Sequence, residues 1–77
     1  MLYKTIVLEL LQEQYPQLHD RLRLSRKLLP ELDRYASELR TIHLRWIDLG
    51  TDASAARELA VAELQGMLAR DCARLET

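Results

Sequence analysis

The chain has too few cysteines for the disulfides that often stabilise domains with a small core. It has 77 residues and a single cysteine, Cys72, which cannot form a disulfide within the chain. A domain of this length buries only about 60% of the surface that its unfolded chain exposes. Small domains therefore usually need disulfides, a metal or a partner chain. Since the first is excluded and no metal-ligand spacing is present, association with another chain is the expected source of extra stability.

Strong net charge and long apolar runs are also missing. Eleven Lys and Arg oppose twelve Asp and Glu, which gives a net charge of −1, so the protein lacks the global field that attracts nucleic acid or anionic membranes. No run of about 18 apolar residues could span a bilayer, and we expect no membrane partner. Glu9 interrupts the apolar N-terminal stretch, so we expect no secretory signal. Together with the single cysteine, this favours a cytoplasmic protein.

The usual signatures of catalytic and cofactor sites are absent. With only two glycines there is no glycine-rich phosphate loop, and no nucleophile elbow or zinc spacing occurs. His19 and His43 are 24 residues apart, about 36 Å along a continuous helix, and cannot share a metal ion within one chain. We therefore predict no catalytic, cofactor-binding or metal-binding residues and no enzymatic activity.

What the sequence does contain is one long apolar seam with helical spacing. Seven residues follow one another at alternating steps of four and three: Leu28, Leu32, Tyr35, Leu39, Ile42, Trp46 and Leu49. This spacing places all seven on one side of an α-helix, whereas a strand would scatter them over both faces. The seam predicts a core helix that other helices cover. His43 falls within the same face and is expected to pack there with one hydrogen-bonding neighbour, a titrating or metal-binding role being the alternative.

Three interruptions divide the chain into helices. Tyr15-Pro16 separates a helix at 3–14 from a second one at 16–49, and Gly50 is placed to end that second helix. Pro30 either kinks the long helix or begins a new one, and the continuous phase of the seam favours a kink. A last helix at 52–76 follows a short turn and is expected to fold back antiparallel. The sequence thus predicts one all-α domain over residues 1–77, with a long central helix and a C-terminal helical hairpin, completed as a bundle by oligomerisation.

The last helix carries two apolar stripes on opposite sides. One, which includes Ala60, Leu64 and Leu68, is predicted to face the central helix. The other repeats at the same helical spacing: Leu59, Ala62, Gly66, Ala69 and Ala73. Alanine also serves as a plain helix former on solvent faces, but a glycine costs the helix about 1 kcal/mol relative to alanine. We predict that this second stripe mediates self-association, most simply as a homodimer.

A basic segment provides the alternative functional hypothesis. Arg21, Arg23, Arg26 and Lys27 lie close together in the sequence and could contact nucleic acid or an acidic partner. Glutamates interrupt the same face and no aromatic residue interleaves with the charges, so an ordinary solvated face is the competing interpretation. Arg21 projects into the apolar stripe of the long helix. It either marks the place where the last helix ceases to cover that stripe or pairs with an acidic residue of another chain. The predicted function is a non-catalytic helical module for protein–protein interaction or oligomerisation, with a small nucleic-acid-associated regulator as the alternative.

Overall fold

The computed structural model describes residues 2–75, which form four α-helices. They are α1 (Tyr3–Gln14), α2 (Pro16–Leu24), α3 (Leu28–Asp48) and α4 (Ala53–Leu75). No strand occurs among these residues, so the all-α prediction is confirmed. The first helix lies where it was predicted, and the predicted helix 52–76 is observed as α4, with residue 76 outside the described part of the chain.

The long central segment, for which a kink near Pro30 was favoured over a break, is divided into α2 and α3. The division lies at residues 25–27, before Pro30, which is the third residue of α3. Proline has no N–H to donate to the carbonyl four residues earlier, here that of Arg26, and its ring would crowd that carbonyl. The first turn of a helix needs no such donor, so a new helix can begin at Leu28 without loss.

A hydrogen-bonded turn closes α2. Arg26 adopts a left-handed φ of 61°. The Lys27 N–H donates to the Leu22 carbonyl at 2.8 Å, and the Arg26 N–H donates to Arg23 at 3.2 Å. These two bonds define a Schellman motif, with arginine in the position that glycine usually occupies.

A second Schellman turn ends α3, as the sequence predicted. Gly50 has φ of 87°, its N–H donates to Ile47, and the Thr51 N–H donates to Trp46 at 3.1 Å. Glycine takes this conformation without steric cost. The turn reverses the chain so that α4 runs antiparallel along α3, as the pairs Arg45–Glu63 and Arg34–Asp71 show.

The other helices pack around α3. The N-terminus of α1 contacts α3 through Tyr3 and His43, whereas Gln14, at the other end of α1, reaches Gln65 on α4. The molecule measures 40 × 21 × 17 Å, so its short dimensions are roughly two helix diameters of about 10 Å each. In a body this thin, each helix keeps an outer face that the other described residues leave exposed.

The core follows the predicted seam over most of its length. Leu32, Tyr35, Leu39 and Ile42 are buried, and Leu28 and Trp46 are half-buried. Leu49 is 70% exposed, so its assignment to the seam is wrong. The reason is that α3 ends at Asp48 and the chain turns away before any neighbouring helix can cover Leu49. Ala36 adds to the core from α3, and the other core residues come from the three remaining helices: Val7, Leu10, Leu11, Leu18, Ala60, Leu64 and Leu68.

Candidate interaction surface

The outer face of α4 is the most regular exposed surface of the molecule. Four residues on its inner face are fully buried: Ala56, Ala60, Leu64 and Leu68. The predicted self-association stripe lies on the opposite side, where Leu59 is 40% exposed and Ala62, Gly66, Ala69 and Ala73 are all exposed. A Cβ built on Gly66 would meet nothing within 4 Å. Nothing within the described chain therefore accounts for a glycine at this position.

Polar contacts along one border of α4 fix which face it exposes. The Trp46 indole Nε1–H donates to Glu63 at 2.9 Å, and Arg45 pairs with the same carboxylate at 3.3 Å. Further along, the Tyr35 hydroxyl donates to Asp71. Because these bonds join α3 to α4 at two separate heights, α4 cannot rotate about its axis without breaking them. The small-residue stripe is thus held outward.

Tyr35 and Asp71 form a hydrogen bond between α3 and α4 in a partly buried position. Burial and the hydrogen bond to the Asp71 carboxylate raise the pKa of Tyr35 well above its ordinary value. Arg34 stacks over the Tyr35 ring, 4.6 Å from its centroid, and also reaches Asp71 at 3.3 Å. Glu31 is the other partner of Arg34, at 2.7 Å, and its hydrogen bond raises the pKa of that guanidinium. This cluster is a structural clasp between two helices.

Sequence reasoning did not find this clasp, although one signal was available. Asp71 follows Leu64 and Leu68 at helical spacing and so stands on the apolar side of α4. A carboxylate in that position needs a hydrogen-bond donor on the helix that it faces. In an antiparallel hairpin of α3 and α4, the residues of α3 near Leu32 lie opposite Asp71, and they include Tyr35 with its hydroxyl group. Tyr35 was predicted only as an apolar core residue.

His43 packs as the sequence predicted. Its Nδ1 lies 3.1 Å from the Tyr3 hydroxyl, and the two rings meet edge to face with centroids 6.0 Å apart. The histidine is half-buried on the inner side of α3. This contact joins α1 to α3.

The basic segment surrounds the break between α2 and α3. Arg21, Arg23, Arg26 and Lys27 are all exposed, and within residues 2–75 none of them forms an ion pair. Arg21 does not lie in a continuous apolar stripe, because the break at residues 25–27 separates α2 from the seam of α3. The segment is available for contact with another molecule.

The described residues contain neither a metal-binding cluster nor a membrane-spanning helix. Within the described residues, no group of three or more His, Cys, Asp or Glu is arranged to hold a metal ion. No helix there combines the length and the apolar character needed to cross a bilayer.

Comparison with known proteins finds no relative. The sequence matches no protein-family model, no curated protein and no solved structure. A function for this chain is therefore inferred from its own residues.

Proposed function

We propose that the protein is a non-catalytic helical interaction module that self-associates through the outer face of α4. The observation that supports this is the exposed stripe of Leu59, Ala62, Gly66, Ala69 and Ala73, with open space around Gly66. A solvent face gains nothing from glycine, which lowers helix stability by about 1 kcal/mol relative to alanine. An interface does gain, because small side chains at helical spacing let a second helix approach closely.

Charge along α4 favours an antiparallel pairing with a second copy. Glu58 and Glu63 border the N-terminal half of the stripe, whereas Arg70 and Arg74 border its C-terminal half. In an antiparallel pair, the acidic half of each helix faces the basic half of the other, and the same patch serves both copies about a two-fold axis. A parallel pair would bring like charges together.

The test is the mass of the protein in 500 mM NaCl, which screens contacts between exposed charges. We expect a dimer for the wild type and a monomer for Ala62→Glu and Gly66→Leu, because the first buries a charge and the second fills the space that a close helix needs. Ser37→Glu is the matched control, since it adds the same charge to an exposed position on α3. Light scattering that gives the same mass for all four proteins would contradict the proposal.

A second candidate function is supported by the four exposed cations of the basic segment, which lack ion pairs within the described residues. In this proposal Arg21, Arg23, Arg26 and Lys27 contact phosphates of DNA or RNA, with an affinity that falls steeply as salt rises. Arg23→Glu with Lys27→Glu should abolish a gel shift at low salt, whereas Arg40→Glu, on the outside of α3, should not. Absence of any shift with mixed-sequence DNA and RNA would dismiss this candidate.

We also propose a cytoplasmic location. Its support is the lone, half-buried Cys72, which has no partner for a disulfide within the chain and suits a reducing compartment. Microscopy or cell fractionation with a tagged protein would test this.

A further inference from the structure

A groove runs between α1 and α4 on the side of the molecule away from the clasp. Its volume is about 530 Å³, within the range of pockets that enclose a small ligand or several side chains. The apolar side chains of Ile6, Leu10 and Val61 line it together with the carboxylates of Glu9, Glu13 and Glu58. The groove therefore combines apolar contact with an acidic rim.

Among residues 2–75, no ion pair neutralises the carboxylates of this groove. Arg57 is the one basic residue among those that line it. None of the three glutamates forms an ion pair in the part of the chain that the structure describes. Glu9 and Glu13 are exposed and one helical turn apart on α1, so they present two carboxylates side by side.

The turn that ends α2 has the opposite character. Leu24 is 73% exposed, although a leucine gains stability only when it is covered. Arg23, Arg26 and Lys27 adjoin it in the sequence, exposed and without ion pairs in the described residues. The Schellman bonds hold this turn in place, so it presents one apolar side chain within a group of cations.

We propose that the α2–α3 turn of a second copy docks in the α1–α4 groove. Leu24 then covers the apolar lining formed by Ile6, Leu10 and Val61. Arg23 and Lys27 meet Glu9 and Glu13. Opposite charges on the two surfaces favour this pairing and disfavour groove against groove or turn against turn. One contact thereby accounts for the uncovered Leu24, for two of the unpaired cations and for two of the unpaired carboxylates.

This contact uses a surface that meets the self-association stripe of α4 at Ala62, which lines the groove as well. It joins two different surfaces, so it either occurs twice about a two-fold axis or links copies into longer assemblies. It depends on exposed charges and weakens as salt screens them, whereas the α4 contact relies mainly on packing of small side chains, with charges only at its borders. Gly66→Leu alters the stripe outside the groove lining, and E9K/E13K alters the groove on α1, so these two variants test the two contacts separately.

Charge exchange between two variants tests the docking directly. One variant is E9K/E13K, which makes the groove basic, and the other is R23E/K27E, which makes the turn acidic. In sedimentation velocity at 50 mM NaCl, we expect each variant alone to self-associate roughly tenfold more weakly than the wild type through this contact. We expect an equimolar mixture to recover association, because the basic groove of one variant then meets the acidic turn of the other. Recovery in the mixture also shows that both variants are folded.

Matched controls separate the groove from general charge effects. E38K/D48K reverses two exposed carboxylates on α3 that lie outside the groove, and it should associate like the wild type. Leu24→Gln should weaken association, whereas Leu49→Gln, at an equally exposed leucine, should not. The contact should also weaken when NaCl is raised to 500 mM.

Three results would overturn the proposal. The first is a wild type whose association does not depend on salt, and the second is a mixture that associates no better than either variant alone. The third is weaker association of R23E/K27E together with unchanged association of E9K/E13K. That result would mean that the turn binds another molecule, such as nucleic acid.

Discussion

The two long faces of α4 share one helix but differ in chemistry. The inner face places Leu64 and Leu68 against the core with no exposed surface. The outer face carries Ala62, Gly66 and Ala69, all exposed, and no described part of the chain covers them. The comparison suggests that one helix divides two tasks, since its inner face holds the fold together and its outer face is free to contact another molecule.

The largest expected effect is on the inner face. Leu64→Ala should lower the free energy of unfolding by about 2–5 kcal/mol, because it leaves a cavity in a fully buried position. Urea denaturation of dilute protein measures this loss. The outer residue Leu59 is the control, and Leu59→Ala should change the stability of the monomer by no more than about 0.5 kcal/mol. Equal losses at the two positions would mean that the two faces do not differ as described.

The next largest loss of stability is expected at Asp71, on the border between the inner and outer faces of α4. Asp71→Ala should cost about 1–3 kcal/mol, because the Tyr35 hydroxyl loses its acceptor where water has limited access. Tyr35→Phe in the same background should restore part of that loss, since no donor is then left unsatisfied. A double-mutant cycle by urea denaturation gives the coupling between the two residues. Additive losses would show that the clasp does not join the helices.

A smaller effect of opposite sign is expected on the outer face. Gly66→Ala should raise the stability of the dilute monomer by about 0.5–1 kcal/mol, because the new Cβ meets open space and alanine favours the helix. At concentrations where the protein is dimeric, the same change should weaken association by separating the helices. Loss of stability in the dilute protein would show that Gly66 serves the fold of the single chain.

The smallest expected effect appears only at alkaline pH. The pKa of Tyr35 is raised in the folded state by burial and by Asp71, so folding favours the neutral phenol. Its contribution to stability is fully present below the unfolded pKa of about 10 and is lost as pH rises through the folded value. Thermal unfolding followed between pH 8 and pH 11 should show a decline above about pH 10 that is smaller in Tyr35→Phe. Identical declines would place the titrating group elsewhere.

The sequence was a good guide where a single residue type has one dominant conformation. Glycine at position 50 indicated the turn that ends α3, because few other residues accept positive φ readily. The break at Arg26 could not be recognised in the same way, since arginine rarely adopts that conformation and Pro30 was the more evident interruption. The physical cause was nevertheless present in the sequence, because Pro30 removes the donor that the Arg26 carbonyl would need.

The interaction surface was predictable only as a pattern. The alternation of Leu59, Ala62, Gly66 and Ala69 follows from helical geometry alone. The sequence also predicted that the stripe with Ala60, Leu64 and Leu68 would be buried, but it did not predict the polar contacts that hold α4 in this orientation, Tyr35 with Asp71 and Trp46 with Glu63. The α1–α4 groove likewise arises from the packing of two helices that are far apart in sequence.

The sequence alone determined that this protein is helical, that its central seam is buried and that α4 has two apolar sides. These features depend on local spacing, which fixes the direction of each side chain along a helix. The tertiary structure decided where α2 separates from α3, which polar contacts join α3 to α4 and which charges remain unpaired. These outcomes depend on packing between helices, because burial and charge pairing are set by neighbours that the chain brings together only when it folds.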